Sequence, residues 1–183
     1  FEARNGAVIR NLTGATFDIQ IDNPDAGSFA GLRYGGGDGP RFENHGTLVR
    51  SAGRGHVWFQ TFLDNSGLAE VRTGTMEFNL GAKIGIITTG DFVGAVDTRL
   101  FIYDGHLAAD SSIVADQVNL SASEVTLTTV GGYYEVSGQT TTLGNEIRFA
   151  GTVARVGALS TSYEIGATSG GQVARQRSAL NDS

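Results

Sequence analysis

The sequence predicts an all-β protein, a parallel β-helix whose chain winds in coils of roughly 20 residues. Three observations carry that expectation. A short motif returns with its residue types intact after 21 positions, Asn44 and Gly46 in one copy and Asn65 and Gly67 in the next. Apolar segments alternate with period two, which gathers their apolar side chains on one face of a strand. Composition supplies the turns: 27 of the 183 residues are glycine and 2 are proline, about twice the ordinary share of glycine. An antiparallel β-sandwich is the alternative, since it too is built of short, evenly spaced strands. A sandwich has no reason to preserve residue types at a 21-residue period.

Taken in order, NGAVIRNLTG (5–14) carries an early copy of the motif, with Gly6 forty positions, or about two periods, before Gly46. TFDIQI (16–21) reads as a strand. Gly35-Gly36-Gly37-Asp38-Gly39 raises the question of a calcium loop, a phosphate loop or a corner. Calcium-binding β-rolls repeat Gly-Gly-x-Gly-x-Asp in successive coils; here the motif occurs once, with Arg41 where the carboxylate ligand belongs. A phosphate loop needs Gly-Lys-Ser/Thr opening a helix. The stretch is therefore read as a corner.

FENHGTLVRSAG (42–53) and FLDNSGLAEVRTG (62–74) are the two plainest copies of the repeat. Between them, GHVWFQTF (55–62) puts Val57, Phe59 and Thr61 on one face and Trp58 and Gln60 on the other. Over 68–80 the alternation places Val71, Met76, Phe78 and Leu80 inside and Glu70, Arg72 and Glu77 outside. NEIRFAG (145–151), GTVARVGAL (151–159) and TSYEIG (161–166) continue the strand pattern. Residues 1–169 are thus one repeat domain, a segment of a larger protein, and 170–183 a polar tail or short terminal helix.

With 40% hydrophobic and 17% charged residues, the chain has enough apolar material for a sizeable core. Its net charge of −6 and single lysine, Lys83, argue against nucleic acid and against an anionic membrane surface. No apolar run reaches the roughly 20 residues of a membrane span. There is no cysteine, hence no disulfide framework and no thiolate chemistry. The chain begins at Phe1 without a signal-peptide pattern, which reads as a fragment starting inside a repeat.

The stretches 43–78 and 131–141 resemble repeats of very large bacterial secreted surface proteins. The shared pattern is Asn-x-Gly-Thr-Leu, a Gly-rich corner, then Phe-x-Asn-x-Gly and a final Gly-Thr-Leu-x-Phe. Gly46-Thr47-Leu48, Asn65-Ser66-Gly67 and Gly74-Thr75-Met76-Glu77-Phe78 match it, with Met76 in place of leucine. Similar repeats occur in autotransporter passenger domains and filamentous-haemagglutinin-like adhesins. The resemblance implies a right-handed β-helix, an extracellular or cell-surface location, and a structural or adhesive role. A solenoid also leaves unpaired strand edges at its ends, so the expected partners are further coils of the parent chain or a second copy stacked end to end.

Candidate chemistry is sparse. His45, His56 and His106 show no H-E-x-x-H spacing, and no Gly-x-Ser-x-Gly elbow is present. A 21-residue coil would stack Glu43 with Asp64 and Glu70 with Asp91, carboxylates near enough to share a proton or a metal ion. Asp97, Asp104, Asp110 and Asp116 recur at the spacing of corners, where Asp is a favoured residue. The aromatics Trp58, Tyr133 and Tyr134 are the candidate ligand-binding residues, because an exposed ring stacks on a sugar face. Tyr133 and Tyr134 are strand neighbours, so both cannot point inward. The expectation is a non-enzymatic structural or adhesive segment with no cofactor or metal. The alternatives are a carbohydrate-binding module for a surface glycan, or a polysaccharide lyase or hydrolase using the stacked carboxylates.

Overall fold

The alternating segments become short strands that stack in parallel in a computed structural model, which describes residues 1–22, 30–81 and 86–161. β1 (Glu2–Ala3), β2 (Val8–Asn11) and β3 (Thr16–Asp18) are followed by β4 (Gly31–Tyr34), β5 (Arg41–Asn44) and β6 (Thr47–Arg50). β7 (His56–Asn65) bends through a corner and leads to β8 (Leu68–Val71), β9 (Thr75–Asn79) and β10 (Asp91–Gly94). Next come β11 (Arg99–Tyr103) and β12 (His106–Leu107). β13 (Ser112–Val130) and β14 (Tyr133–Phe149) are long, and β15 (Thr152–Arg155) and β16 (Ala158–Thr161) follow. Among the described residues there is no helix.

These strands form three ladders, which are the three faces of a parallel β-solenoid. The first runs β1–β4–β7–β9–β11–β13–β14–β16. The second joins β2, β5 and the end of β7, and further along β12 with the ends of β13 and β14. The third runs β3–β6–β8–β10–β13–β14–β15. Every pairing among the described strands is parallel, which excludes the sandwich. β13 and β14 each cross all three faces, with register shifts after Ala115 and Ala122 where β13 turns its corners.

The 21-residue step holds where the motif is plainest: Phe42 pairs with Leu63 and Leu48 with Ala69. It does not hold everywhere. From β2 to β5 the step is 33, so Asn11 pairs with Asn44, and placing Gly6 two even periods before Gly46 is corrected. The extra residues lie between β3 and β4. The expected strand at 161–166, beyond Thr161, and the tail at 170–183 lie outside the described residues.

Inside, like residues stack on like. Leu48, Ala69, Phe92, Ile113 and Tyr134 make one buried column. Phe59, Phe78, Ile102 and Leu120 make another. Phe78 meets Phe92 edge to face at 5.5 Å, a preferred aromatic geometry. Val71, Met76, Phe78 and Leu80 are all fully buried, as the alternation predicts, and Glu70, Arg72 and Glu77 point outward.

Two devices at the corners explain the repeat's residue choices. The first is a ladder of buried carboxamides. Asn11 Nδ2 donates to Asn44 Oδ1 at 2.7 Å and to the Thr47 carbonyl at 2.9 Å. Asn44 Nδ2 likewise donates to Asn65 Oδ1 at 2.7 Å and to the Leu68 carbonyl at 3.0 Å. Each asparagine thus satisfies the one beneath it and a turn carbonyl beside it. The second device is close approach. A Cβ on Gly67 would lie 2.2 Å from the Gly46 carbonyl oxygen, and one on Gly90 would lie 2.2 Å from that of Gly67. Only glycine lets the coils meet there.

A third corner buries a cation. The Arg50 guanidinium, fully buried, donates to the carbonyls of Gly55, Thr75 and Arg54, tying its own corner to that of the next coil. Burial pulls its pKa below the ordinary arginine value.

Candidate functional site on the first face

Gly35–Gly39 is a corner, as read from the sequence. It joins β4 to β5, and Asn5 and Gly6 of the preceding coil donate their backbone N–H groups to the Gly36 and Asp38 carbonyls at 3.1 and 2.8 Å. Gly36 and Gly37 have φ of 102° and 83°, the left-handed region that glycine enters without strain. The corner has one further consequence. The Gly37 carbonyl accepts the Tyr34 hydroxyl at 2.6 Å, which pins that ring at the end of β4 while leaving it 44% exposed.

Tyr34 is one rim of a trough. Its lining is Tyr34, Phe59, Gln60, Glu77, Asn79 and Tyr103, and its volume is about 290 Å³. The cause is a local break in register. Phe59 pairs with Phe78, but the next pairing is Phe62 with Asn79, so Gln60 and Thr61 are extra residues opposite β9. A bulge of this kind bends the strand and re-aims side chains. Gln60 is thrown outward and exposed, while Thr61 turns inward and is fully buried.

Register sets the remainder of the wall. Glu77 pairs with Phe101 and Asn79 with Tyr103, so these four outward side chains form a two-by-two patch. Trp58 pairs with Glu77 on its other side. The result is an outward column Trp58–Glu77–Phe101 beside a shorter one of Asn79 and Tyr103. Tyr34 and Tyr103 stand three ladder steps apart, about 14 Å at ordinary strand spacing.

The polar groups in the trough are oriented. His56 stacks on Trp58 with centroids 4.4 Å apart and an interplanar angle of 20°, and its Nε2 lies 3.3 Å from Glu77 Oε2. Asn79 Oδ1 accepts the Gly81 N–H at 3.1 Å, and Gln60 Oε1 accepts the Tyr34 N–H at 3.4 Å. Both amide NH2 groups therefore point away from those backbone donors. Burial, followed by the nearby Asp104 charge, raises the Tyr103 pKa above its usual value, so its hydroxyl stays protonated at neutral pH.

The aromatics singled out in the sequence do not come together. Trp58 points outward on the first face, at the margin of the trough. Tyr133 is outward on the third face, 39% exposed, with its hydroxyl donating to Glu135 at 2.5 Å. Tyr134 must be corrected as a ligand-binding candidate. It is fully buried, packs edge to face on Phe149 at 5.0 Å, and shares a 2.8 Å hydrogen bond with Thr140. Of two strand neighbours one goes in, and the pleat sends in Tyr134.

The carboxylate pairs divide in the same way. Glu43 does stack on Asp64, but Arg10 Nε holds Glu43 Oε2 at 2.6 Å. Glu70 does not stack on Asp91. The coil between them is 23 residues long, so Glu70 pairs with Val93 and Asp91 with Leu68. Glu70 is instead bonded to Arg72 at 2.7 Å, and Asp91 accepts the Ser112 hydroxyl at 2.6 Å. The spaced aspartates serve corners: Asp97 and Asp104 have φ of 62° and 49°. Asp104 Oδ1 accepts the Ser123 N–H at 2.7 Å, and Asp116 Oδ2 the Asp97 N–H at 3.1 Å. His45 bonds to Ser66 Oγ at 2.7 Å. Among the described residues, no three His, Cys, Asp or Glu side chains converge.

None of the lining residues was singled out in the sequence as a binding candidate, although Gln60 and Glu77 were placed outward. Their signal was the outward phase of Glu77, Asn79, Phe101 and Tyr103, masked because the coil from β9 to β11 steps by 24 residues rather than 21. Fold and trough together define a class, a parallel β-solenoid with an aromatic-rimmed depression on one face. No family model, curated protein or solved structure matches the chain.

Proposed function

We propose that the chain is a non-enzymatic structural and adhesive solenoid segment of an extracellular bacterial surface or filament-forming protein. The observation that carries this reading is the exposed edge of the first coil. Asn11 Nδ2 donates down the carboxamide ladder, but among the described residues its Oδ1 accepts no bond. Phe17, which packs edge to face on Phe42 at 5.1 Å, is 38% exposed, and Val8 and Leu12 are exposed beside it. An apolar strand edge with an unfilled ladder acceptor is a surface for one more rung. That rung would come from further coils of the parent chain or from a second copy.

The non-enzymatic part of the reading is supported by the engagement of the carboxylates. Glu43 is held by Arg10, Glu70 by Arg72 and Asp91 by Ser112. Acid–base catalysis needs such groups to converge on a substrate. The test is sedimentation over a concentration series with electron microscopy. Rod-like end-to-end association that is abolished by Leu12→Lys and Val8→Lys is expected. A strictly monomeric protein at every concentration contradicts self-association. Glycan turnover lost on Glu43→Gln would contradict the non-enzymatic reading.

A further inference from the structure

We propose that the trough on the first face binds a neutral oligosaccharide laid along the solenoid axis. The inference stands on the trough's own geometry and is independent of whether coils stack end to end. Tyr34 and Tyr103 line the trough with three polar side chains, Gln60, Glu77 and Asn79, and Trp58 and Phe101 flank Glu77 in the outward column at its margin. That composition fits a pyranose ring. Its C–H faces pack on aromatic rings, and its equatorial hydroxyls need donors and acceptors around the edge.

Both kinds of partner are in place. The NH2 groups of Gln60 and Asn79 donate, because their carbonyl oxygens are already occupied by Tyr34 and Gly81 N–H. Glu77 accepts, with its carboxylate oriented by His56 at 3.3 Å. Among the described residues, Glu77 is also the sole charged side chain lining the trough. A uronate or sulfated sugar would bring a second negative charge against it, in a protein whose net charge is already −6. A neutral glycan avoids that repulsion.

The trough is built rather than incidental. The Gln60–Thr61 bulge opens it, and the glycine corner fixes Tyr34 through the Gly37 carbonyl. The two tyrosine rims are about 14 Å apart, a span of ladder steps that suits several linked sugar rings rather than one. An oligosaccharide is therefore favoured over a monosaccharide.

The test is isothermal titration with cellohexaose, mannohexaose and chitohexaose as neutral probes and hexagalacturonate as the acidic one. Trp58, the only tryptophan, gives a second readout by fluorescence. At least one neutral probe should bind, with affinity reduced about tenfold by Tyr103→Ala and by Tyr34→Ala. Tyr133→Ala, on another face, should leave affinity unchanged. Gln60→Arg fills the trough from an exposed position and should abolish binding while the melting temperature stays at the wild-type value, which separates loss of the site from loss of the fold. No binding by any neutral probe at millimolar concentration overturns the proposal. So does affinity indifferent to Tyr34, Gln60 and Tyr103, or a preference for hexagalacturonate.

Discussion

Replacing Asn44 with alanine tests the carboxamide ladder at its centre. Asn44 accepts from Asn11, donates to Asn65 Oδ1 and donates to the Leu68 carbonyl, and it is fully buried. The substitution strands three polar groups: an N–H of Asn11, the Oδ1 of Asn65 and the Leu68 carbonyl. Each buried group left unsatisfied costs about 1–3 kcal/mol. With partial relaxation, the loss should be about 3–5 kcal/mol. Asn11→Ala provides the comparison, because it removes donors only and lies at the edge of the stack. Its acceptors can reach water, so about 1–2 kcal/mol is expected.

Asn44→Asp adds a pH signature. An ionised aspartate still accepts from Asn11 but sets a negative oxygen against Asn65 Oδ1 and the Leu68 carbonyl, where a proton is needed. Its folded pKa should therefore be raised. A raised carboxyl pKa makes this variant most stable below the unfolded value near 4, with stability lost as pH rises through the folded pKa. Urea melts followed by circular dichroism at several pH values give all three numbers. Asn44→Ala costing under about 1 kcal/mol, or no more than Asn11→Ala, would refute the ladder as a stabilising element.

Three further outcomes are expected. Phe78→Ala, which empties a fully buried site against Phe92, should cost about 3–5 kcal/mol in urea melts. Gly67→Ala should destabilise by more than the roughly 1 kcal/mol of a typical point substitution, because its Cβ would sit 2.2 Å from the Gly46 carbonyl oxygen. An alanine tolerated without loss would show that the coils are not this close. Burial pushes the Tyr134 phenol well above the ordinary tyrosine range. A folded pKa raised this way stabilises the fold at neutral pH, and that contribution is lost as pH climbs past the unfolded value near 10. Absorbance titration should show Tyr134, identified by loss of the signal in Tyr134→Phe, ionising only as the protein unfolds.

Much of the fold was legible because solenoid coils repeat the same physical problem. Asn44 and Asn65 must satisfy one another, and Gly46 and Gly67 must clear one another, so the residue types recur at the coil length. The inside–outside assignment over 68–80 followed from the pleat alone. Coil length was less legible, because corners absorb insertions without disturbing the faces. The 33-residue first step and the 23-residue step to Asp91 broke the even 21. That is why Glu70 and Asp91 were stacked in the sequence but not in space. The trough was hidden for the same reason, since it needs the 24-residue step that sets Glu77 beside Phe101 and a bulge at Gln60. Bulges leave little trace in an alternating pattern when the extra residues are themselves one polar and one small.

The parallel stacking itself is open to a direct test, because the chain contains no cysteine of its own. Thr75 pairs with Arg99 and Glu77 with Phe101, all four pointing outward. Paired positions on neighbouring strands are about 4.8 Å apart, within the reach of a disulfide, whereas diagonal positions at about 7–8 Å are not. Four double variants should be oxidised and resolved by mass spectrometry. Thr75→Cys/Arg99→Cys and Glu77→Cys/Phe101→Cys should cross-link, while Thr75→Cys/Phe101→Cys and Glu77→Cys/Arg99→Cys should stay reduced. Cross-linking of the diagonal pairs instead is the pattern of antiparallel strands, and it would contradict the solenoid.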